Sequence, residues 1–219
     1  MLHEWILQIR EDSHYYCSET WKYRISGNVL ELSVPLEYTR KKEIYRCSVI
    51  TVGQILKSLS CKIDQTGSHY LIQSFPNLES PALIASIRME DQLIKNVDPF
   101  PTLPEKCDFE SEKSKLITLS QKYQFELTQI EMPAQLQPFT NEDPNRHWFA
   151  LTTTSDNPFI WLKLGNWKET ILKNCNNELN IESPRIVDFC LSPEFKSIDL
   201  NLPDKTKIQS LLVFGPETS

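Results

Sequence analysis

Leu2, Trp5, Ile6 and Ile9 fall at i, i+3, i+4 and i+7, which predicts that the chain opens on an amphipathic helix ending near Asp12-Ser13. Two strands follow, Trp21 to Ile25 and Val29 to Val34, in which Leu30, Leu32 and Val34 alternate with Glu31 and Ser33. Ser26-Gly27-Asn28 between them has the residues that positive-φ hairpin turns require. After a polar loop at Glu37 to Glu43, Val52, Ile55, Leu56 and Leu59 return to helical spacing, so a second helix is expected to about Cys61. Gly67 then turns the chain into a short strand at Tyr70 to Gln73. Ser80-Pro81 has the form of an N-cap followed by proline at the first helical position, starting a short element that reaches Met89. Irregular segments are expected at about 96–108, where Pro99, Pro101 and Pro104 cluster, and at 133–146. Between them lie a helix near Ser111 to Tyr123 and an alternating stretch through Phe125, Leu127 and Gln129. Trp148 to Thr153 reads as a strand. Asp156-Asn157-Pro158 caps a long helix on which Ile160, Leu164, Trp167, Ile171 and Cys175 form one stripe. Leu211 to Phe214 is a buried strand. Helices and strands intermix without βαβ alternation and without a visible repeat, which predicts one α+β domain over 1–219, an antiparallel-rich sheet flanked by helices.

Composition narrows the function classes. The 219 residues include 23 Lys+Arg against 29 Asp+Glu, a net charge of −6, and Arg40-Lys41-Lys42 is the only compact basic cluster. That balance argues against nucleic-acid binding, which rests on neutralising phosphates. The five glycines stand at 27, 53, 67, 165 and 215, too far apart for a Rossmann fingerprint or a P-loop. No run approaches 18 apolar residues, so no membrane span is expected. The first ten residues lack the basic n-region of a signal peptide, and the six cysteines include no CxxC pair. The expectation is a cytoplasmic protein with reduced, mostly buried thiols.

Few residues suggest chemistry by themselves. His14 and Cys17 stand three apart, but no second ligand pair matches them, and closed zinc sites need four ligands. The same pair has the elements of a thiol nucleophile and its base, yet the spacing is common by chance and no GxSxG elbow occurs. Glu11-Asp12, Glu90-Asp91 and Glu142-Asp143 fall at element ends or in loops and read as solvated or capping charges. The tryptophans and the long-helix stripe read as core. No catalytic residue is assigned.

The order of elements carries a resemblance. The opening helix, then Asp12-Ser13-His14-Tyr15-Tyr16-Cys17-Ser18-Glu19-Thr20-Trp21, then hairpin and helix, resembles the start of the nitroreductase superfamily in its Acg-like branch. Ala150 to Thr153, the turn through Asp156-Asn157-Pro158, and the helix with Trp161-Leu162-Lys163-Leu164-Gly165 are similar to that branch's strand, turn and Trp-Leu-x-x-Gly helix. Ile208-Gln209-Ser210-Leu211-Leu212-Val213-Phe214-Gly215 is similar to its closing strand.

The resemblance implies a nitroreductase-like fold and an FMN-dependent oxidoreductase. Such an enzyme passes hydride from NAD(P)H through the flavin to an electron-poor small molecule, in a homodimer with the site at the interface. Ser18, Glu19 and Lys95 would line the flavin, and Gly215 would allow close backbone approach. The cofactor positions depart from the family pattern. Glu19 puts a carboxylate where the family has a neutral amide, Lys95 is one cation where two are usual, and Val213 stands where an arginine is common. The alternative is a flavin-free binding or regulatory module on the same scaffold.

Overall fold

The computed structural model describes residues 2–11, 20–93, 109–131, 147–174, 185–187 and 202–214. Helix α1 spans Leu2–Glu11 and buries Ile6 and Ile9, the inward face that the spacing predicts. Strands β1 (Lys22–Ser26) and β2 (Val29–Ser33) form the expected hairpin, antiparallel from Lys22 opposite Ser33 to Ser26 opposite Val29. Its turn needs Gly27, whose φ of 59° is left-handed backbone that a Cβ would strain.

The next two elements differ from expectation. Residues read as a polar loop form a 3-10 helix, Leu36–Arg40, and the helix α2 that follows runs from Lys42 to Gln65, 24 residues. Strand β3 spans Ser68–Ser74, wider than the Tyr70 to Gln73 core of the prediction. After Ser80-Pro81 comes no helix but strand β4, Leu83–Leu93. The Ser80 carbonyl accepts the Leu83 N–H at 3.0 Å in a turn, and Ala85 and Ile87, inward, alternate with Ser86 and Arg88. A serine-proline pair serves a turn as readily as a helix start, and the period of two decides between them.

The later elements match the pattern more closely. They are α3 (Phe109–Lys122), β5 (Glu126–Ile130), β6 (His147–Thr153), α4 (Pro158–Asn174) and β8 (Lys207–Phe214). Strand β7, Arg185–Val187, lies before β8 and has no counterpart in the sequence reading. The fold is therefore α+β, and every strand pair in both sheets is antiparallel.

Contacts divide the single expected domain into two compact units, Met1–Pro101 with Pro158–Glu169, and Thr102–Asn157 with Thr170–Ser219. The first holds the sheet β1-β2-β4-β3 and the second the sheet β5-β6-β8-β7. Helix, two strands, helix, two strands is the chain order twice over, and the strand orders agree. Even the irregularities agree. The ladder shifts between Leu32 and Ser33 where β2 meets β4, and between Leu151 and Thr152 where β6 meets β8. The architecture repeats although no repeat is visible in the sequence.

In the first unit the inner face of the sheet carries Ile25, Leu30, Ile87 and Ile72 in one cross-strand row, and α2 packs against β3 and β4. The outer face is polar: Arg24 bonds Glu31 (Nε to Oε2, 2.9 Å), and the same row continues through Ser86 to Gln73. Helix α2 crosses the first part of α4 at two glycines. A Cβ on Gly53 would lie 3.0 Å from Gly165 Cα and would collide with the Leu162 carbonyl oxygen. A Cβ on Gly165 would lie 2.8 Å from Gly53 Cα and would collide with the Ile50 carbonyl oxygen. Backbone meets backbone there, which only glycine on both sides permits.

In the second unit β6 is buried from Trp148 to Thr152 and β8 from Gln209 to Val213, and Trp148, Ala150, Leu211 and Val213 form a cluster with Ile130, Leu202 and Ile208 against it. Tyr123 and Thr170 hydroxyls share a 2.8 Å hydrogen bond.

Candidate functional site

Ser18, Glu19, Lys95 and Gly215, the residues assigned to a flavin by resemblance, lie outside the described residues, as do His14, Cys17, Asp12, Glu142 and Asp143. Glu11 ends α1 and Glu90 lies in β4, both exposed or partly so, consistent with solvated charges. Among the described residues no group of three His, Cys, Asp or Glu could hold a metal ion, and Cys47 and Cys61 are half-buried. No helix among them is long and apolar enough to cross a membrane. One position assigned by resemblance can be tested for fit to FMN. Val213, where an arginine is common, is fully buried in the apolar cluster with Trp148 and Leu211. An aliphatic core residue offers a phosphate neither charge nor donor. At that place the chain does not fit the group.

Two features of the first unit remain, and the first is the polar seam where α2 meets α4. The Arg46 guanidinium lies 5.7 Å from the centre of the Trp161 ring, and Tyr45 meets the same ring edge-on at 6.0 Å. The Tyr45 hydroxyl donates to the Pro81 carbonyl at 2.7 Å, and Ser58 Oγ donates to Glu169 Oε1 at 2.5 Å. Elsewhere on α2, Ser48, Thr51 and Ser60 donate to the carbonyls of Ile44, Cys47 and Leu56, four residues back. These groups are buried and hydrogen-bonded inside the fold, which makes them packing devices.

The second feature is the outer edge of β3. This strand ends its sheet, and Leu71 to Ser74 are all exposed, with Leu71 58% and Ile72 41% accessible. The ladder fixes where its backbone points. Phe75 N–H donates to the Ile84 carbonyl at 2.7 Å, so the residues bonded to β4 are the odd ones, Gln73 opposite Ser86 and Leu71 opposite Arg88. The N–H and C=O groups of Tyr70, Ile72 and Ser74 therefore point away from the sheet. Phe75 itself has φ 49°, unusual for a bulky side chain. Its ring packs 4.6 Å from that of Phe159 in the first turn of α4, and the two contacts hold the end of the strand in place.

Tyr70 anchors β3 to α2. Burial pushes its hydroxyl above the usual 10.0, Ser60 hydrogen-bonds it in the opposing sense, and the Asp64 carboxylate raises it further. Burial also raises Tyr45. In an absorbance titration, Tyr45→Phe and Tyr70→Phe should each remove a component that ionises above the ordinary tyrosine range. Loss of an ordinary component instead would contradict the burial of these hydroxyls.

Edge strands invite pairing with other chains, and proteins blunt them with charge, proline or shortness. Strand β1 carries Lys22 and Arg24, β5 carries Glu126, and β7 is three residues long and starts at Arg185. Strand β3, Ser-His-Tyr-Leu-Ile-Gln-Ser, has no Lys, Arg, Asp, Glu or Pro. Among the described edge strands it is the unguarded one. The sequence contains the signal, since no charged residue occurs between Asp64 and Glu79, but only pairing order shows that the strand is an edge. Comparison with protein-family models gives no match for this chain, and comparison with curated proteins gives none either.

Proposed function

We propose that this protein is a binding module, the flavin-free alternative, and that it recognises protein by taking an added strand on the outer edge of β3. The observation that carries this reading is the row of outward backbone groups at Tyr70, Ile72 and Ser74, on a strand with exposed Leu71 and Ile72 and no charge. Strand addition draws affinity from the main-chain hydrogen bonds and selectivity from alternate side chains, so it needs no deep pocket. An incoming strand meets Leu71 on the polar outer face and Tyr70 and Ile72 on the inner one. It also gains partners in the N–H and C=O groups that point away from β4.

Ile72→Pro tests the reading. Proline removes the outward N–H of residue 72 while leaving the bonds from Leu71 and Gln73 to β4, the placement in which edge strands tolerate it. Immobilised random heptapeptides captured by the wild type should be lost by Ile72→Pro, and absorption spectra with and without added FMN should show no bound flavin. Peptides held equally by both proteins, or tight FMN binding with NAD(P)H oxidation, would favour the nitroreductase-like oxidoreductase over the binding module.

A further inference from the structure

We infer that the strand added to β3 is β3 of a second copy of this chain, an inference that rests on the edge-recognition reading above and names its partner. The register argues for it. In an antiparallel ladder, hydrogen-bonded pairs must join residues whose backbone groups both point to the shared edge. A two-fold axis at Leu71 joins Tyr70 of each copy to Ile72 of the other, both outward residues, and overlaps all seven residues of the strand. Leu71 then faces Leu71 of the second copy as a non-hydrogen-bonded pair, the closer of the two pair types. The most exposed apolar side chain of the strand thereby covers itself. On the inner face, the row Ile25, Leu30, Ile87, Ile72 continues into Tyr70 of the second copy.

Charge is compatible with self-pairing. A strand that pairs with itself brings each of its charges against another of the same sign. β3 has no Asp, Glu, Lys or Arg to repel its copy, whereas Lys22 and Arg24 would do so across β1. The pairing is also small. One seven-residue strand per copy covers less than the about 1,200 Å² of a standard stable interface, so the dimer should be reversible and concentration-dependent.

Sedimentation across a concentration series tests this with the full chain. The wild type should move from monomer to dimer. Ile72→Pro deletes one hydrogen bond on each side of the axis, so dimerisation should weaken by about a hundredfold. Leu71→Lys should abolish dimerisation by setting two like charges face to face; it lies on the exposed outer face, where it leaves the core intact. Leu71→Cys should form a disulfide-linked dimer on mild oxidation that the wild type, with its own cysteines, does not form. A wild type that stays monomeric overturns the inference, as does a dimer indifferent to Ile72→Pro and Leu71→Lys. If that monomer still loses heptapeptide capture on Ile72→Pro, the edge-recognition reading stands and only the identity of the partner is wrong.

Discussion

Gly165→Ala should destabilise the protein by about 3 kcal/mol, the upper end of what overpacking costs, because the added methyl meets backbone on every side. Its Cβ would lie 2.8 Å from Gly53 Cα and 2.9 Å from Gln54 N, and would collide with the Ile50 carbonyl oxygen. No rotamer change relieves contacts with main-chain atoms, so α2 and α4 would have to separate along their crossing. Gly53→Ala should cost a similar amount for the reciprocal reason. Gly27→Ala is the control. It has open space around it and pays only for left-handed backbone, about 1 kcal/mol. Urea unfolding midpoints measure all three, and a Gly165→Ala midpoint equal to that of the wild type would contradict the crossing.

Trp167→Ala should cost about 3–5 kcal/mol through the cavity it leaves. Trp167 is fully buried on α4, a helix buried on several sides from Trp161 to Ile171. The loss should appear in the same unfolding experiment, while heptapeptide capture by the folded variant stays unchanged, since the residue is remote in sequence and role from β3. Little loss of stability together with a binding defect would move Trp167 from the core to a site.

How much of this was legible in the sequence depended on whether local pattern and tertiary packing agreed. The hairpin around Gly27 was legible because turn chemistry and strand alternation point the same way. The first half of α2 was not. Ser48 and Thr51 interrupt its apolar pattern, yet their hydroxyls bond carbonyls of the same helix, and that lets polar residues sit in a buried face. Strand β4 was obscured by Ser80-Pro81, which carried a helix signal into a turn. The repeat escaped because equivalent ladder positions keep residue class and not identity: Leu30 opposite Ile87 in one sheet corresponds to Phe149 opposite Leu212 in the other. Gly53 and Gly165 were visible as scarce glycines, but a glycine within a helical pattern reads as a propensity cost until its neighbour is known. The candidate site was the least legible part. Resemblance led to Ser18, Glu19, Lys95 and Gly215, whereas the edge at β3 is defined by the strands that pair and the one side that does not.

Residue-resolved amide hydrogen exchange along β3 tests the central claim most directly, because protection reports which N–H groups are bonded. In dilute protein, the amides of Leu71 and Gln73 should be protected by β4, while those of Tyr70, Ile72 and Ser74 exchange freely. Adding the synthetic heptapeptide Ser-His-Tyr-Leu-Ile-Gln-Ser in excess should protect Tyr70 and Ile72 and leave Leu71 and Gln73 as they were. Tyr70 and Ile72 amides already protected in the dilute protein, or still unprotected with a bound partner strand, would contradict recognition at this edge.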